Sequence, residues 1–232
     1  LVNENNIDLR VWPRLFAIAE RFWSNKSLTD VNDMYRRFIK INKFANNIGL
    51  LAETQQVKGF QSLLAPGTDV TPLLTLAQQI EPASYYTRHH LKYRNGLYHQ
   101  NAPLNQLVDF LPVESLTLVK LEQHLQAYKK GDKQGLEYII ETLRDWHFNF
   151  APLVKLIKKQ SKLAAIAPIV SDLRVINTLG LTVAQSCFAG VKMSDIETKR
   201  IKANLRKLHQ NVREIALSSG LFVEHLLEAC RQ

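Results

Sequence analysis

Three ionisable side chains stand among bulky apolar residues in the stretch RVWPRLFAIAERFWS, which runs from Arg10 to Ser24. By residue type alone, Arg14, Glu20 and Arg21 are candidates for catalysis. On a helix, Arg14 and Arg21 fall on one side, and Glu20 lies at the edge of the apolar face. Burying these charges would cost free energy unless they were paired.

Histidines offer a second possible chemistry. His89 and His90 are adjacent in YYTRHHLKYRNGLYH, and His99 follows nearby, so metal binding has to be considered. Adjacent side chains diverge, however, and no Asp, Glu or Cys stands close in the sequence to complete a site. The segment is more typical of a polar, tyrosine-rich packing region.

The remaining polar patterns do not by themselves indicate a catalytic site. Glu137 and Glu141 are four residues apart, a common spacing on solvated helix faces. Glu114 and Ser115 follow Pro112 and predict a helix start. Nucleophile-elbow, P-loop, zinc-protease and dinucleotide-binding motifs are all missing from the sequence. We therefore predict no catalytic, cofactor-binding or metal-binding residue in this chain.

Helical periodicity runs through nearly every segment, so the fold class is all-α. Asp30 is the expected N-cap of a helix that ends at Gly49. Pro13 fits the first position of the preceding helix, where its missing N–H costs nothing. On that helix an apolar arc of about 160° forms at 100° per residue. Its members are Leu15, Phe16, Ile18, Ala19, Phe22 and Trp23.

So wide an aromatic arc needs a large apolar partner, which the ten preceding residues cannot supply. In this chain its side chains should be exposed, covered by the C-terminal helices, or buried in a second copy. The sequence begins LVNENNIDLR, without Met or a signal peptide, which suggests the middle of a longer protein or a processed end.

Composition sets further limits. The net charge is +9, and its excess lies mostly in residues 113–232, with 18 basic and 12 acidic side chains. Their spacing favours solvated helix faces over a nucleic-acid groove. No run approaches the roughly 20 apolar residues of a membrane span. Cys187 and Cys230 match no zinc or disulfide pattern, so we expect two ordinary buried thiols.

Three regions are predicted. Residues 1–50 form two helices, and residues 51–112 form an irregular helical linker or wrap-around segment. That segment has helices over 57–64 and 71–80, followed by a tyrosine-rich loop region. Residues 113–232 form a helical, bundle-like domain that includes a long helix from Leu163 to about Phe188, marked by Pro168.

The first region resembles the segment that follows the last barrel strand in glycoside hydrolase family 20, the β-N-acetylhexosaminidases. The family pattern is approximately W-P-R-x-x-A-x-A-E-R-x-W-S. The residues that match it are Trp12, Pro13, Arg14, Ala17, Ala19, Glu20, Arg21, Trp23 and Ser24. The next helix is similar as well, with Tyr35, Arg37 and Gly49 in the usual places. The stretch from Glu81 to Ser115 is also similar to a C-terminal extension of some bacterial members.

The resemblance implies an upstream (β/α)8 barrel that removes terminal N-acetylhexosamine residues, with the substrate's own acetamido group as nucleophile. It places the catalytic Asp–Glu pair upstream, so none of its catalytic residues falls in this chain. In the family, Trp12, Pro13, Arg14, Glu20, Arg21 and Trp23 are structural. They fix the last barrel helix, and the helical domain braces the barrel or forms a dimer contact.

On this interpretation the partners are the upstream barrel, the N-acetylhexosaminide substrate of the whole enzyme and, in a homodimer, a second copy. No cofactor is expected, and this chain alone should be inactive. The function implied for the parent enzyme is bacterial chitin degradation, in the cytoplasm or the periplasm. The alternative is an autonomous helical module whose basic face binds a polymer, a nucleic acid or a protein.

Overall fold

The computed structural model describes residues 4–50, 52–97, 99, 103–210 and 213–231. It confirms the all-α class, since these residues are mostly helical. The helices are α1 (Glu4–Trp23), α2 (Val31–Asn47), α3 (Ala52–Ser62), α4 (Thr71–Ala77), α5 (Tyr85–Arg94), α6 (Leu116–Lys129), α7 (Lys133–Lys159), α8 (Ala167–Phe188), α9 (Asp195–His209) and α10 (Ser218–Ala229). Short 3₁₀ turns cover Leu107–Phe110 and Ser161–Ile166, and the two-residue strands β1 (Glu81–Pro82) and β2 (Ile215–Ala216) pair antiparallel.

Helices α6, α7, α8 and α10 form the bundle predicted for the C-terminal region. Consecutive helices α6, α7 and α8 are antiparallel neighbours. The rings of His124 on α6 and Tyr138 on α7 stack there at 3.9 Å. Helix α10 runs parallel to α8, because Gly180 faces Val223 and Cys187 is joined to Cys230. Helix α9 makes the return between these parallel helices.

The apolar core is continuous from the bundle into the middle of the chain. Bundle residues such as Leu121, Leu143 and Leu173 are fully buried. The buried side chains that the middle segment adds to the same cluster include Phe60, Leu73, Leu76, Ile80 and Leu111. Shared burial of this kind stabilises both parts together. The division of the chain at residues 50 and 112 stays a prediction.

A carboxylate joins the middle segment to two bundle helices. Glu81 accepts hydrogen bonds from the Ser115 backbone N–H and from the Ser218 hydroxyl, both at 2.8 Å. Ser115 is the N-cap of α6, and Ser218 is the first residue of α10. Since helix N-termini carry unpaired N–H groups and a partial positive charge, a carboxylate is well placed between them.

Three local predictions need correction. Helix α1 starts at Glu4, nine residues before Pro13, so Pro13 is not its first residue. Helix α5 occupies part of the region predicted as loop, and Ser84 caps its first turn. The long helix predicted from Leu163 instead starts as a 3₁₀ turn and becomes α-helical at Ala167, with Pro168 in the first turn.

The expectation of two free thiols is wrong as well. Cys187 and Cys230 form a disulfide, with Cα atoms 5.5 Å apart and sulfurs at 2.19 Å. The parallel packing of α8 and α10 brings together the last turns of both helices, where these cysteines stand. The disulfide closes a loop with a sequence separation of 43 residues, which contains α9 and α10.

One segment of the described chain, Ser161–Phe188, is long and apolar enough to cross a membrane by length and composition, with a mean hydropathy of 1.3. The core helix of a globular protein gives the same signal. Leu173, Ile176 and Val183 of this segment are buried in the bundle. One side of α8 therefore lies in the bundle core, and 44% of the apolar window is buried.

Candidate functional site

Helices α1 and α2 form a hairpin whose geometry is set by ionic contacts. Glu20 and Arg37 lie 2.6 Å apart in an ion pair between the helices. In the connection between them, the guanidinium of Arg21 donates to the carbonyl of Leu28. Asp30 caps α2 by accepting from the backbone N–H groups of the second and third helical residues. Two ionic residues of the family pattern therefore hold the hairpin together.

One face of α1 carries exposed apolar side chains at helical spacing. Ile7, Val11, Leu15, Ile18 and Phe22 are each separated by three or four residues, so they form a single stripe. Phe22 is 82% exposed and the adjacent Trp23 is 90% exposed. We call these six residues the α1 face. Of the three outcomes expected for the predicted arc, the structure shows exposure at Leu15, Ile18, Phe22 and Trp23; Phe16 is half-buried.

Helix α2 adds apolar exposure beside it. Ile41, Phe44 and Ile48 repeat at steps of three and four and are exposed by 40%, 57% and 61%. Phe38 and Ala45 of the same helix are buried. Each helix of the hairpin thus buries one side and exposes a second, apolar side to solvent. So many exposed large apolar side chains on two adjacent helices are unusual.

The other side of α1 is anchored by a buried polar network that the sequence analysis missed. Arg10 donates to the carbonyls of Val108 and Asp109, at 3.0 and 3.2 Å. The carboxylate of Asp109 is in turn 2.9 Å from Arg88, which also pairs with Glu214. Burial lowers the pKa of Arg10, and the neighbouring Arg88 charge adds to the effect. This anchoring fixes the hairpin to the rest of the chain, the middle segment and the bundle, which we call the body.

The remaining residues of the family pattern lie at different places on α1. Trp12 is half-buried, donates from Nε1 to Asp8 at 2.9 Å and lies 5.8 Å from the ring of Phe16. Arg14 is exposed and lines a cavity beside the hairpin. Pro13 lies within the helix. These residues are not gathered into a single cluster.

The cavity has a volume of about 540 Å³ and lies between the hairpin and the body of the chain. Tyr35 of α2 reaches across its edge and donates a hydrogen bond to Glu114 at 2.6 Å. Burial raises the pKa of Tyr35, and the hydrogen bond to Glu114 raises it further. The phenol therefore stays protonated near neutral pH and donates its hydrogen bond to Glu114.

The histidine segment shows ring packing. His89 and His90 meet edge to face at 5.5 Å, and His89 stacks on Tyr93. Within the described part of the chain, no group of three or more His, Cys, Asp or Glu side chains is placed to hold a metal ion. Glu137 and Glu141 both lie exposed on α7.

The described residues thus form a helical fold, and its N-terminal hairpin of α1 and α2 leaves an apolar face exposed. No family model and no curated protein matches the sequence. The fold matches the X-ray structure of the Flavobacterium johnsoniae chitobiase FjGH20 with a TM-score of 0.78 over 96% of this chain. The sequence identity is 20%, and this chain spans 33% of the length of that chitobiase. The predicted structural resemblance to part of a family 20 enzyme is therefore confirmed.

Proposed function

We propose that this chain is the C-terminal part of a β-N-acetylhexosaminidase, and that its own role is to complete and brace the catalytic barrel. The observation that carries this proposal is the exposed α1 face. It occupies the same helix as the family pattern, in a chain whose fold corresponds to one third of a chitobiase. On this proposal, the upstream barrel covers the α1 face.

Burial of the α1 face would supply substantial binding free energy. Fully burying a large apolar side chain contributes about 1.5–3 kcal/mol. Phe22 and Trp23 alone, 82% and 90% exposed, therefore offer several kcal/mol to a partner of matching shape. Glu20 is paired with Arg37, so burying the neighbouring apolar residues leaves no unpaired charge at Glu20. Arg21 donates one hydrogen bond to the carbonyl of Leu28.

The proposed whole enzyme hydrolyses terminal N-acetylhexosamine residues with retention, using the substrate's acetamido group as the nucleophile. Active sites of such barrels collect at the C-terminal ends of the strands. On this proposal, the described residues supply no strand to the barrel and no residue to its chemistry. On this proposal its contribution is mechanical, with the hairpin in the outer helical layer of the barrel.

The binding-module alternative gains no specific support. Basic residues stand in the last turns of α7 and α9, at Lys158 and Lys159 and at Arg206 and Lys207. Cations at helix C-termini are stabilised by the helix dipole without any ligand. Binding of a polymer or nucleic acid is therefore an outcome to be measured in the same experiment.

The decisive experiment uses the protein with its native upstream region. It should release chromophore from an aryl N-acetylglucosaminide, and absence of release would refute the proposal. The double variant Phe22→Asp, Trp23→Asp should reduce activity or soluble yield at least tenfold, because it places charges in the proposed contact. Phe148→Asp is the matched control, since Phe148 is 73% exposed on α7, away from the hairpin.

The 232-residue chain provides the complementary test. There the same double variant should remain folded by circular dichroism, because neither side chain is buried. Salt-dependent binding of the chain to single-stranded nucleic acid or to chitooligosaccharides would favour the binding module. A dimer in size-exclusion chromatography that is lost in the double variant would show that a second copy covers the face.

A further inference from the structure

The cavity beside the hairpin has the properties of a small-molecule site. Its volume of about 540 Å³ lies within the range of roughly 300–1,000 Å³ typical of ligand pockets. It is lined by residues of α1, α2, α3 and α4, of the segment 112–115 and of the start of α6. The apolar part of the wall includes Leu9, Ile18, Met34, Phe38, Leu74 and Val113.

Two charged side chains that line the cavity, Glu114 and Arg14, differ in whether they already have a hydrogen-bond partner. Glu114 accepts the hydrogen bond of Tyr35, so this carboxylate is engaged. Arg14 makes no ion pair or hydrogen bond with any described residue, although it lines the same cavity. Arg10 stands one turn earlier on α1, and the charge of Arg14 contributes to lowering the pKa of Arg10. No described residue therefore pairs directly with the guanidinium of Arg14.

We propose that this cavity binds a small amphipathic carboxylate, with its apolar chain between α2 and the body and its carboxylate paired with Arg14. A guanidinium offers two parallel N–H groups to a carboxylate, which gives both charge and geometry. The wall is mostly apolar, although Asn42, Gln56 and Gln78 also line it, so it favours a ligand with an apolar chain over one that is polar along its length. Met34 is an adaptable wall residue, because its unbranched thioether fills irregular space. Ile18 belongs both to this wall and to the α1 face, so the inference is stated for this chain without an upstream region; it does not require the proposed enzyme.

The test measures binding of decanoate to the 232-residue chain by calorimetry, below the concentration at which decanoate forms micelles. Saturable binding at one site is expected. Decanol should bind at least tenfold more weakly, and decyltrimethylammonium should not bind. Arg14→Gln should weaken decanoate binding about tenfold, which corresponds to a charged hydrogen bond worth 1.5 kcal/mol or slightly less. Met34→Trp should abolish binding by filling the cavity.

Two controls separate the cavity from other surfaces. Lys43→Gln removes an exposed positive charge from α2, and Phe22→Ser removes an exposed ring from the α1 face. Neither should change the affinity. If Met34→Trp does not fold, Thr117→Phe fills the same cavity from the opposite wall. The proposal is overturned if decanoate does not saturate, if Arg14→Gln binds like the parent, or if Phe22→Ser loses binding.

Discussion

The carboxylate of Glu20 lies 2.6 Å from the guanidinium of Arg37, and this ion pair joins the last turns of α1 to the first half of α2. Arg37 pairs with Asp33 as well. Hydrogen bonding to Glu20, and then to Asp33, raises the pKa of Arg37. The pair holds the two helices of the hairpin at a fixed separation, so it also sets the shape of the apolar face that the hairpin presents.

Replacing Glu20 by Gln should loosen the hairpin without unfolding the bundle. The substitution keeps the side-chain shape but removes the charge that Arg37 needs. Because the pair is partly solvated, the thermal midpoint should fall by only about 1–3 °C. Amide hydrogens of α2 should exchange several-fold faster, and those of α7 should not change. Glu137→Gln on α7 is the control, and equal exchange in both variants would contradict the prediction.

Local signals made several helix ends predictable from sequence. Asp30 caps α2, and Ser115 caps α6 by accepting from the Leu118 N–H. Gly49 follows the last residues of α2 with φ of +95°, a left-handed conformation that favours glycine. In each case one or two residues determine the end, so no knowledge of distant contacts is needed.

Other features depend on contacts that periodicity does not encode. Pro13 is compatible with a helix start, but α1 already begins at Glu4 and is anchored by Arg10 to Val108 and Asp109. Helix α5, with the sequence YYTRHHLKYR, has few apolar residues and so shows little amphipathic pattern. Because the anchors lie about a hundred residues apart in sequence, spacing could not reveal them.

Glu81 should contribute strongly to stability, although it lies in a strand of only two residues. It links the starts of α6 and α10 through Ser115 and Ser218. Hydrogen bonds to a charged group contribute about 1.5–3 kcal/mol each, with non-additive losses. Glu81→Ala should lower the free energy of unfolding by about 2–3 kcal/mol in urea titration, and Glu81→Gln by less. A loss below about 0.5 kcal/mol in Glu81→Ala would show that the joint is not stabilising.

Reduction of the Cys187–Cys230 disulfide should destabilise the chain measurably. Chain-entropy arithmetic for the 43-residue separation gives about 4 kcal/mol at 25 °C. The free energy of unfolding should fall by about 2–4 kcal/mol in dithiothreitol. The double variant Cys187→Ser, Cys230→Ser should have the stability of the reduced chain both with and without dithiothreitol. Thiol titration of the denatured chain should find no free cysteine before reduction; two free thiols would contradict the disulfide.

Acid should weaken the start of α9. The Ser194 hydroxyl and backbone N–H both donate to Glu197, and these bonds lower the pKa of its carboxyl group. A lowered folded-state pKa stabilises the fold above the ordinary value of about 4.3, and this contribution is lost as the pH falls through the folded pKa. The wild-type midpoint should exceed that of Glu197→Gln by about 1–2 °C at pH 7.

This difference should close as the pH falls below about 4. Ser194→Ala removes the hydroxyl donor, so adding Glu197→Gln to it should change the pH dependence less than Glu197→Gln does alone. A difference between wild type and Glu197→Gln that stays constant from pH 7 to pH 3 would contradict the prediction.

Replacing Gly180 by alanine should destabilise the chain, although the same change usually stabilises a helix. In an unobstructed helix interior the change gains about 1 kcal/mol. On α8, however, the new Cβ would meet Cγ2 of Val223 at 2.9 Å and Leu143 at 3.5 Å. Valine is rigid at χ1, so α8 and α10 would have to separate. Gly180→Ala should therefore destabilise the chain by about 1–3 kcal/mol in urea titration.

Val223→Ala provides the partner for a double-mutant cycle. It should destabilise the chain by itself, because Val223 is fully buried and its loss leaves a cavity. In that background the Cβ at position 180 occupies the vacated space, so Gly180→Ala should become neutral or stabilising. The coupling should exceed about 1 kcal/mol, since the two sites are in direct contact. Additive effects would mean that close packing of α8 on α10 is not what requires glycine at this position.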